Sequence, residues 1–198
     1  MLRAGVVKCV AGRGKTCTPR GGAADNPCMP GPHTIILTSG GLRSLVALGL
    51  TLAEEPRPRM TALFVQDGTP SAARRIEAVR RQCDRYKVRD LVESELAGPH
   101  GAALDAEARE SQRPPLVRSQ LLLAAMAHAV QVEAQRIVWP IQQDADVDRA
   151  AEVTEMIVLV QGLAQLEFGL DKLPRVDTPM LELTNKQMVE LGGQLEVP

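Results

Sequence analysis

Residues 34–52 read TIILTSGGLRSLVALGLTL. Ile35, Ile36 and Leu37 form the kind of short unbroken apolar run that fills a strand buried on both faces of a parallel sheet. The run breaks at Ser39-Gly40-Gly41, and helical spacing starts at once with Leu45, Val46, Leu48, Leu50 and Leu52. A strand that turns through paired glycines into a helix suits an anion. Glycine lets the backbone approach closely, unpaired N–H groups at the helix start point outward, and the helix dipole favours negative charge. Ser39 and Ser44 are expected to add hydroxyl donors at the two ends of this loop. An ordinary strand-to-helix turn reads the same way locally, so the rest of the chain must separate the two.

What surrounds the loop narrows the class. A chain of 198 residues has room for one sizeable core, and its hydrophobic content is 44%. Its aromatic residues are Phe64, Tyr86, Trp139 and Phe168 alone. The core is therefore aliphatic, and the stacking platforms of a single-strand nucleic-acid binder are missing. A net charge of −1 offers no general attraction to nucleic acid or to a membrane surface. No apolar run reaches the length of a membrane span, and the N-terminus lacks a secretory apolar segment. The expectation is a cytoplasmic protein with no membrane and no direct nucleic-acid partner.

Further along, strand and helix patterns alternate. Residues 60–66 (MTALFVQ) read as a second strand, followed by the turn cluster Asp67-Gly68-Thr69-Pro70. A helix opens at Ser71 with Ile76, Val79, Cys83 and Tyr86 on one face; Arg74, Arg75, Arg81 and Arg85 lie on the other, expected to be solvated. Residues 88–93 are a weak third strand, and 98–115 are polar, suited to a lid or a loop with a helical turn. Residues 116–134 form a largely apolar helix in which His128 is expected as a core histidine rather than a ligand. Arg136 to Pro140 is a fourth strand. A polar loop over 141–147 leads into a long helix stopped by Gly169. Residues 175–178 give a last strand. Thr184 and Gln187 then make a capping box for a helix expected to end at Gly192-Gly193. This alternation predicts an α/β fold: an open parallel sheet with helices on both faces, its ligand beyond the carboxyl ends of the strands.

Two units are expected: a flexible basic tail over 1–32 and a nucleotide-binding domain over 33–198. The tail carries Arg3, Lys8, Arg13, Lys15 and Arg20 against Asp25 alone, with many glycines and prolines. It contains GRGKT at Gly12 to Thr16, but Cys9 occupies the position where a Walker A loop needs its first glycine. Of the four cysteines, Cys9, Cys17 and Cys28 fall in the tail without a CxxC pair, so incidental thiols are favoured over a zinc site shared with His33. Cys83 is expected to be buried as a small apolar residue.

The segments SGGLRS, ALFVQDG with RRIEAVRRQCDRY, PPLVRSQLLLAAMAHAVQVEAQRIVW and TPMLELTNKQMVELGGQLEVP occur in this order. Together they resemble the 7-cyano-7-deazaguanine synthase family of N-type ATP pyrophosphatases, across roughly residues 34–198. The resemblance implies a Rossmann-like open parallel sheet with helices on both faces, adenine nucleotide alpha hydrolase-like, that uses ATP and magnesium. It implies an ATP-dependent carbon–nitrogen ligase of queuosine biosynthesis, a tRNA-modification pathway, converting 7-carboxy-7-deazaguanine to the nitrile through an adenylate and ammonia. Carried over residue by residue, Thr38, Ser39, Gly40, Gly41, Leu42, Arg43 and Ser44 would bind the nucleotide, and Arg118, Asp148 and Arg149 the deazapurine. No catalytic side chain is assigned, and a homodimer is compatible with the family.

The departures from the family pattern bear on activity. Arg43 replaces the loop's aspartate, Val117-Arg118-Ser119 stands for a Gly-Arg-Asn segment, and QQDADVDRA replaces an aspartate-rich recognition loop. The family's four-cysteine zinc cluster follows the segment that ends here at Pro198, so no metal ligands are assigned in this chain. The resemblance thus leaves two readings: a working ligase, or a non-catalytic nucleotide-binding domain derived from it. A different adenylating enzyme, such as a tRNA thiolase, fits the ordered match less well.

Overall fold

The computed structural model describes residues 32–55, 59–66, 71–95, 117–169 and 173–197. The expected tail, the GRGKT segment, three of the cysteines, the Asp67–Pro70 turn and the 98–115 stretch lie outside these residues. Five parallel strands form the sheet: β1 (His33–Thr38), β2 (Arg59–Gln66), β3 (Asp90–Glu95), β4 (Arg136–Val138) and β5 (Arg175–Asp177), in the order β3-β2-β1-β4-β5. Ile35 sits between Thr61 of β2 and Ile137 of β4, which makes β1 the centre of the sheet.

The helices are α1 (Leu42–Glu54), α2 (Ala72–Tyr86), α3 (Val117–Gln131), α4 (Val147–Phe168) and α5 (Asn185–Gln194). Because strand side chains alternate between faces, the central strands supply two cores at once. Ile35, Leu37, Leu63, Val65 and Ile137 pack with Leu122, Met126, Val153 and Val160 of α3 and α4. Ile36, Ala62, Phe64 and Val138 pack with Val46, Leu48, Ile76, Val79, Cys83 and Met188 of α1, α2 and α5. The chain leaves β1 toward β2 over one face and returns to β4 over the other. The crevice between the carboxyl ends of β1 and β4 is therefore the topological switch point, where open α/β sheets bind ligands.

Several local expectations meet their structure. The Thr184–Gln187 capping box is complete in both directions, and Gly169 caps α4 at φ 59° with its amide on the Gln165 carbonyl. Cys83 is buried, and desolvation pushes its thiol up to about 11. Others need correction. The third strand, read as weak over 88–93, pairs with β2 over six residues from Asp90 to Glu95. Helix α5 does not end at Gly192-Gly193 but runs through both to Gln194. A Cβ on Gly192 would stand 3.3 Å from Val46, so that glycine serves packing of α5 on α1 rather than helix termination. No helix among the described residues is long and apolar enough to cross a membrane.

Candidate functional site

The turn after β1 is held by contacts that only this sequence supplies. Gly40 adopts φ +77°, and a Cβ there would lie 2.6 Å from the Arg75 carbonyl oxygen and 3.0 Å from the Ala78 Cβ. Both the left-handed backbone and the close approach of α2 exclude a side chain. Gly41 is the N-cap of α1 and provides no side-chain acceptor, so the first-turn amides are left for another partner. The Gly41 carbonyl accepts from Gln82 Nε2 at 3.3 Å, which ties the loop to α2 from its other side.

The two serines divide the work that the sequence assigned to both. Ser44 is fully buried, and its Oγ accepts from the Ser39 amide at 2.8 Å while lying 3.0 Å from Ser39 Oγ. If Ser44 donates its proton to Ser39, the Ser39 hydroxyl proton is free to point outward. Ser44 is thus a brace inside the loop rather than a second outward donor. Thr38 is also committed, its Oγ1 donating to the Leu63 carbonyl at 3.2 Å. Exposed Leu42 and Arg43 begin α1, and Arg43 has no ion-pair partner among the described residues.

Above the loop opens a cleft of about 460 Å³ lined by Ser39, Gly40, Gly41, Ser71, Arg74, Arg75 and Ala78. Ser71, Arg74 and Arg75 were not expected there. The arginines of α2 are not a uniformly solvated face: Arg75 is half-buried, with its guanidinium 5.7 Å from the centroid of the Phe64 ring. The signal for this was topological. Adjacent parallel strands β1 and β2 deliver both following helices to one edge, so the start of α2 faces the start of α1. Among the described residues no carboxylate lines this cleft, and nowhere do three His, Cys, Asp or Glu side chains gather to hold a metal. The groups that line this cleft among the described residues therefore suit an anion.

The residues assigned to substrate recognition lie elsewhere. Arg118 is in the first turn of α3, half-buried, and lines none of the clefts described here. Asp148 and Arg149 are exposed in the first turn of α4. Asp146 caps that helix by accepting from the Arg149 amide at 3.1 Å, and its carboxylate also pairs with Arg149 Nε at 3.3 Å. Beside them a cleft of about 400 Å³ is lined by Ala145, Asp146, Val147, Ala150, Ala151, Thr154 and Glu182 and shares no residue with the loop cleft. Fold connectivity brings these helix starts to the same carboxyl edge as the loop, but none of the three residues lines the loop cleft. His128 is half-buried with its pKa lowered by desolvation, in keeping with a core histidine.

No protein-family model and no curated protein matches the chain. Solved structures do. The U34-tRNA thiolase NcsA from Methanococcus maripaludis, solved with its [4Fe-4S] cluster, is similar with a TM-score of 0.53 at 18% identity, over 88% of this chain and 59% of the thiolase. NMN synthetase from Francisella tularensis follows at 0.48 and 17%, over 85% and 63%. NAD+ synthetase from Burkholderia pseudomallei gives 0.42 and 14%, over 84% and 60%. The chain spans less than two thirds of each of these proteins. At such identities the likeness is one of fold, and it rests on the thiolase. The fold is α/β, an adenine nucleotide alpha hydrolase-like parallel sheet. This likeness of fold does not single out a 7-cyano-7-deazaguanine synthase.

Proposed function

We propose that this chain is a nucleotide-binding domain of the ATP pyrophosphatase type, with the triphosphate of ATP against residues 39–43. The observation that carries the proposal is Gly40, locked at positive φ beneath the Arg75 carbonyl at the switch point of the sheet. The loop it shapes leads into the uncapped first turn of α1 and borders a cleft whose lining side chains, among the described residues, carry positive charge and no negative charge. Ser39 would donate to a phosphate oxygen, Arg74 would neutralise charge from α2, and Arg43 would do so from α1. Thr38 and Ser44 would act by holding the loop in shape.

The finer reading is a 7-cyano-7-deazaguanine synthase-like activity, supported by the ordered sequence resemblance. In that chemistry a carboxylate oxygen attacks the α-phosphorus and pyrophosphate leaves. Ammonia then displaces AMP to give the amide, and a second activation removes its oxygen to give the nitrile. Donors beside the leaving pyrophosphate would stabilise its growing charge. Arg118, Asp148 and Arg149 would face the deazapurine from the starts of α3 and α4.

Arg43 favours the non-catalytic alternative. A guanidinium in the loop binds ground-state phosphates and leaving group alike, and uniform binding of that kind does not raise the chemical rate. It would also repel a magnesium ion, which no carboxylate among the described lining residues would hold. Calorimetry should therefore register ATP binding with weak magnesium dependence, and a product assay should register little nitrile. Arg43→Asp should weaken binding without magnesium and make it metal-dependent, each lost charge-assisted hydrogen bond being worth about 1.5–3 kcal/mol. Robust nitrile formation by the unaltered chain would return it to the working ligases; absence of any ATP binding would end the nucleotide reading altogether.

A further inference from the structure

Gln82 stands in α2 at a position where helical periodicity calls for an apolar residue. It falls on the buried face with Ile76, Val79 and Cys83 and is 8% exposed. Its amide is only half used. Nε2 donates to the Gly41 carbonyl at 3.3 Å, and Oε1 is buried without a partner among the described residues. A buried acceptor left bare lowers stability, and an apolar residue of the same size would avoid that cost. Packing alone therefore does not account for a glutamine here. Its bond to the loop does.

We propose that Gln82 is a positioning residue for the phosphates of the bound nucleotide, acting through the Gly41 carbonyl; the inference rests on the ATP-binding reading above. Gln82 does not itself line the cleft. Arg75, Ala78 and Gln82 lie on one ridge of α2 and seat the loop together. The first two exclude a side chain at Gly40, and the third adds a directed bond to Gly41. The Gly41 carbonyl accepts twice, from the Leu45 amide at 3.2 Å and from Gln82. Both of its lone pairs are thereby engaged. A bare carbonyl oxygen repels a phosphate, and the second bond draws off that partial charge beside the start of α1. In a trans peptide the N–H points opposite to the C=O. Holding the Gly41 carbonyl toward Leu45 and Gln82 therefore turns the uncapped Leu42 amide the opposite way, off the helix start. One buried side chain thus screens a backbone acceptor and orients a backbone donor.

Gln82→Met keeps the volume and removes both polar atoms of the amide. Its thermal midpoint should equal or exceed that of the unaltered chain, since the unpartnered Oε1 is gone and Leu45 still holds the Gly41 carbonyl. Isothermal titration should nevertheless show ATP and inorganic pyrophosphate bound more weakly, each by about five- to tenfold. Gln82→Glu supplies a donor only when its carboxyl is protonated. Its ATP affinity relative to the unaltered chain should be lower by at least about thirtyfold at about pH 8 and recover to within about threefold at about pH 5.5, because burial favours the neutral carboxyl. Arg43, Arg75, Arg81, Asp84 and Arg85 flank it along α1 and α2 in both chains, so the ratio cancels their titration. Equal affinity in Gln82→Met and the unaltered chain overturns the proposal and leaves the ATP reading intact. A midpoint that falls together with the affinity also overturns it, because Gln82 is then a structural residue. So does a Gln82→Glu ratio that stays level between the two pH values. An unaltered chain that binds no ATP defeats the reading and the inference together.

Discussion

At the amino-terminal edge of the sheet, Arg136 is surrounded by its own counter-charges. Its guanidinium lies 2.8 Å from Glu54, 3.2 Å from Glu55 and 2.6 Å from Asp177, and Arg175 shares Asp177 at 2.7 Å. The cleft of about 680 Å³ at this edge is lined by these same residues and is the larger of the two compared here. At the carboxyl edge the cleft is smaller, about 460 Å³, and two cations near it differ from Arg136. Arg43 and Arg74 have no carboxylate partner among the described residues, and the loop amides between them are uncapped. Size therefore does not identify the site. Charge that is satisfied internally serves the fold, and charge without a carboxylate partner beside uncapped backbone donors suits the ligand proposed above.

The contrast can be broken from the structural side. Arg136→Ala should lower unfolding free energy by about 3 kcal/mol, because it strands partly buried carboxylates of Glu55 and Asp177. Chemical denaturation would measure the loss, and ATP affinity at the other edge should stay within about twofold, since the two sites share no residue and act independently. A variant that kept its stability but lost ATP binding would reverse the assignment of the two edges.

A smaller effect comes from His33, at the start of the central strand. Its Nε2 lies 2.8 Å from Thr61 Oγ1 and its Nδ1 3.4 Å from the Val132 carbonyl, a pair of contacts that the neutral ring satisfies. Burial first, then the Arg59 cation and His128, hold its pKa below the usual 6.5, against the Val132 bond and Asp90, which raise it. A histidine with a lowered folded pKa binds its proton more readily when unfolded. Stability should thus be flat above pH 6.5 and fall as the pH drops below it, until the folded ring also protonates. His33→Gln should flatten part of that fall in thermal midpoint. An unchanged profile would place the acid sensitivity elsewhere.

The two edges were not equally legible. Ile35 to Leu37 followed by Gly40-Gly41 announced the central strand and its loop, because buried strands and positive-φ turns restrict residue type locally. The capping box at Thr184 was readable for the same reason. Arg136 and its partners Glu54 and Glu55 lie 82 and 81 residues apart in sequence, and no local pattern joins them. Gly192 misled because a glycine required by packing on Val46 looks, in one dimension, like a glycine that ends a helix. Arg74 and Arg75 were read from helical periodicity alone, which says which side they face but not that the neighbouring loop lies across from them. The assignments of Arg118, Asp148 and Arg149 rest on family resemblance, and the structure gives them a shared edge without a shared cavity.

The loop geometry is the centre of the account, and Gly40→Ala tests it most directly. The new methyl would need the space held by the Arg75 carbonyl, at a φ of +77° that an alanine rarely adopts. Isothermal titration of ATP into the unaltered chain and into Gly40→Ala, with folding checked by circular dichroism, should show binding in the first and at least about a tenfold loss in the second, equivalent to about 1.4 kcal/mol. Equal affinity in two folded proteins would mean that the glycine loop does not hold the nucleotide.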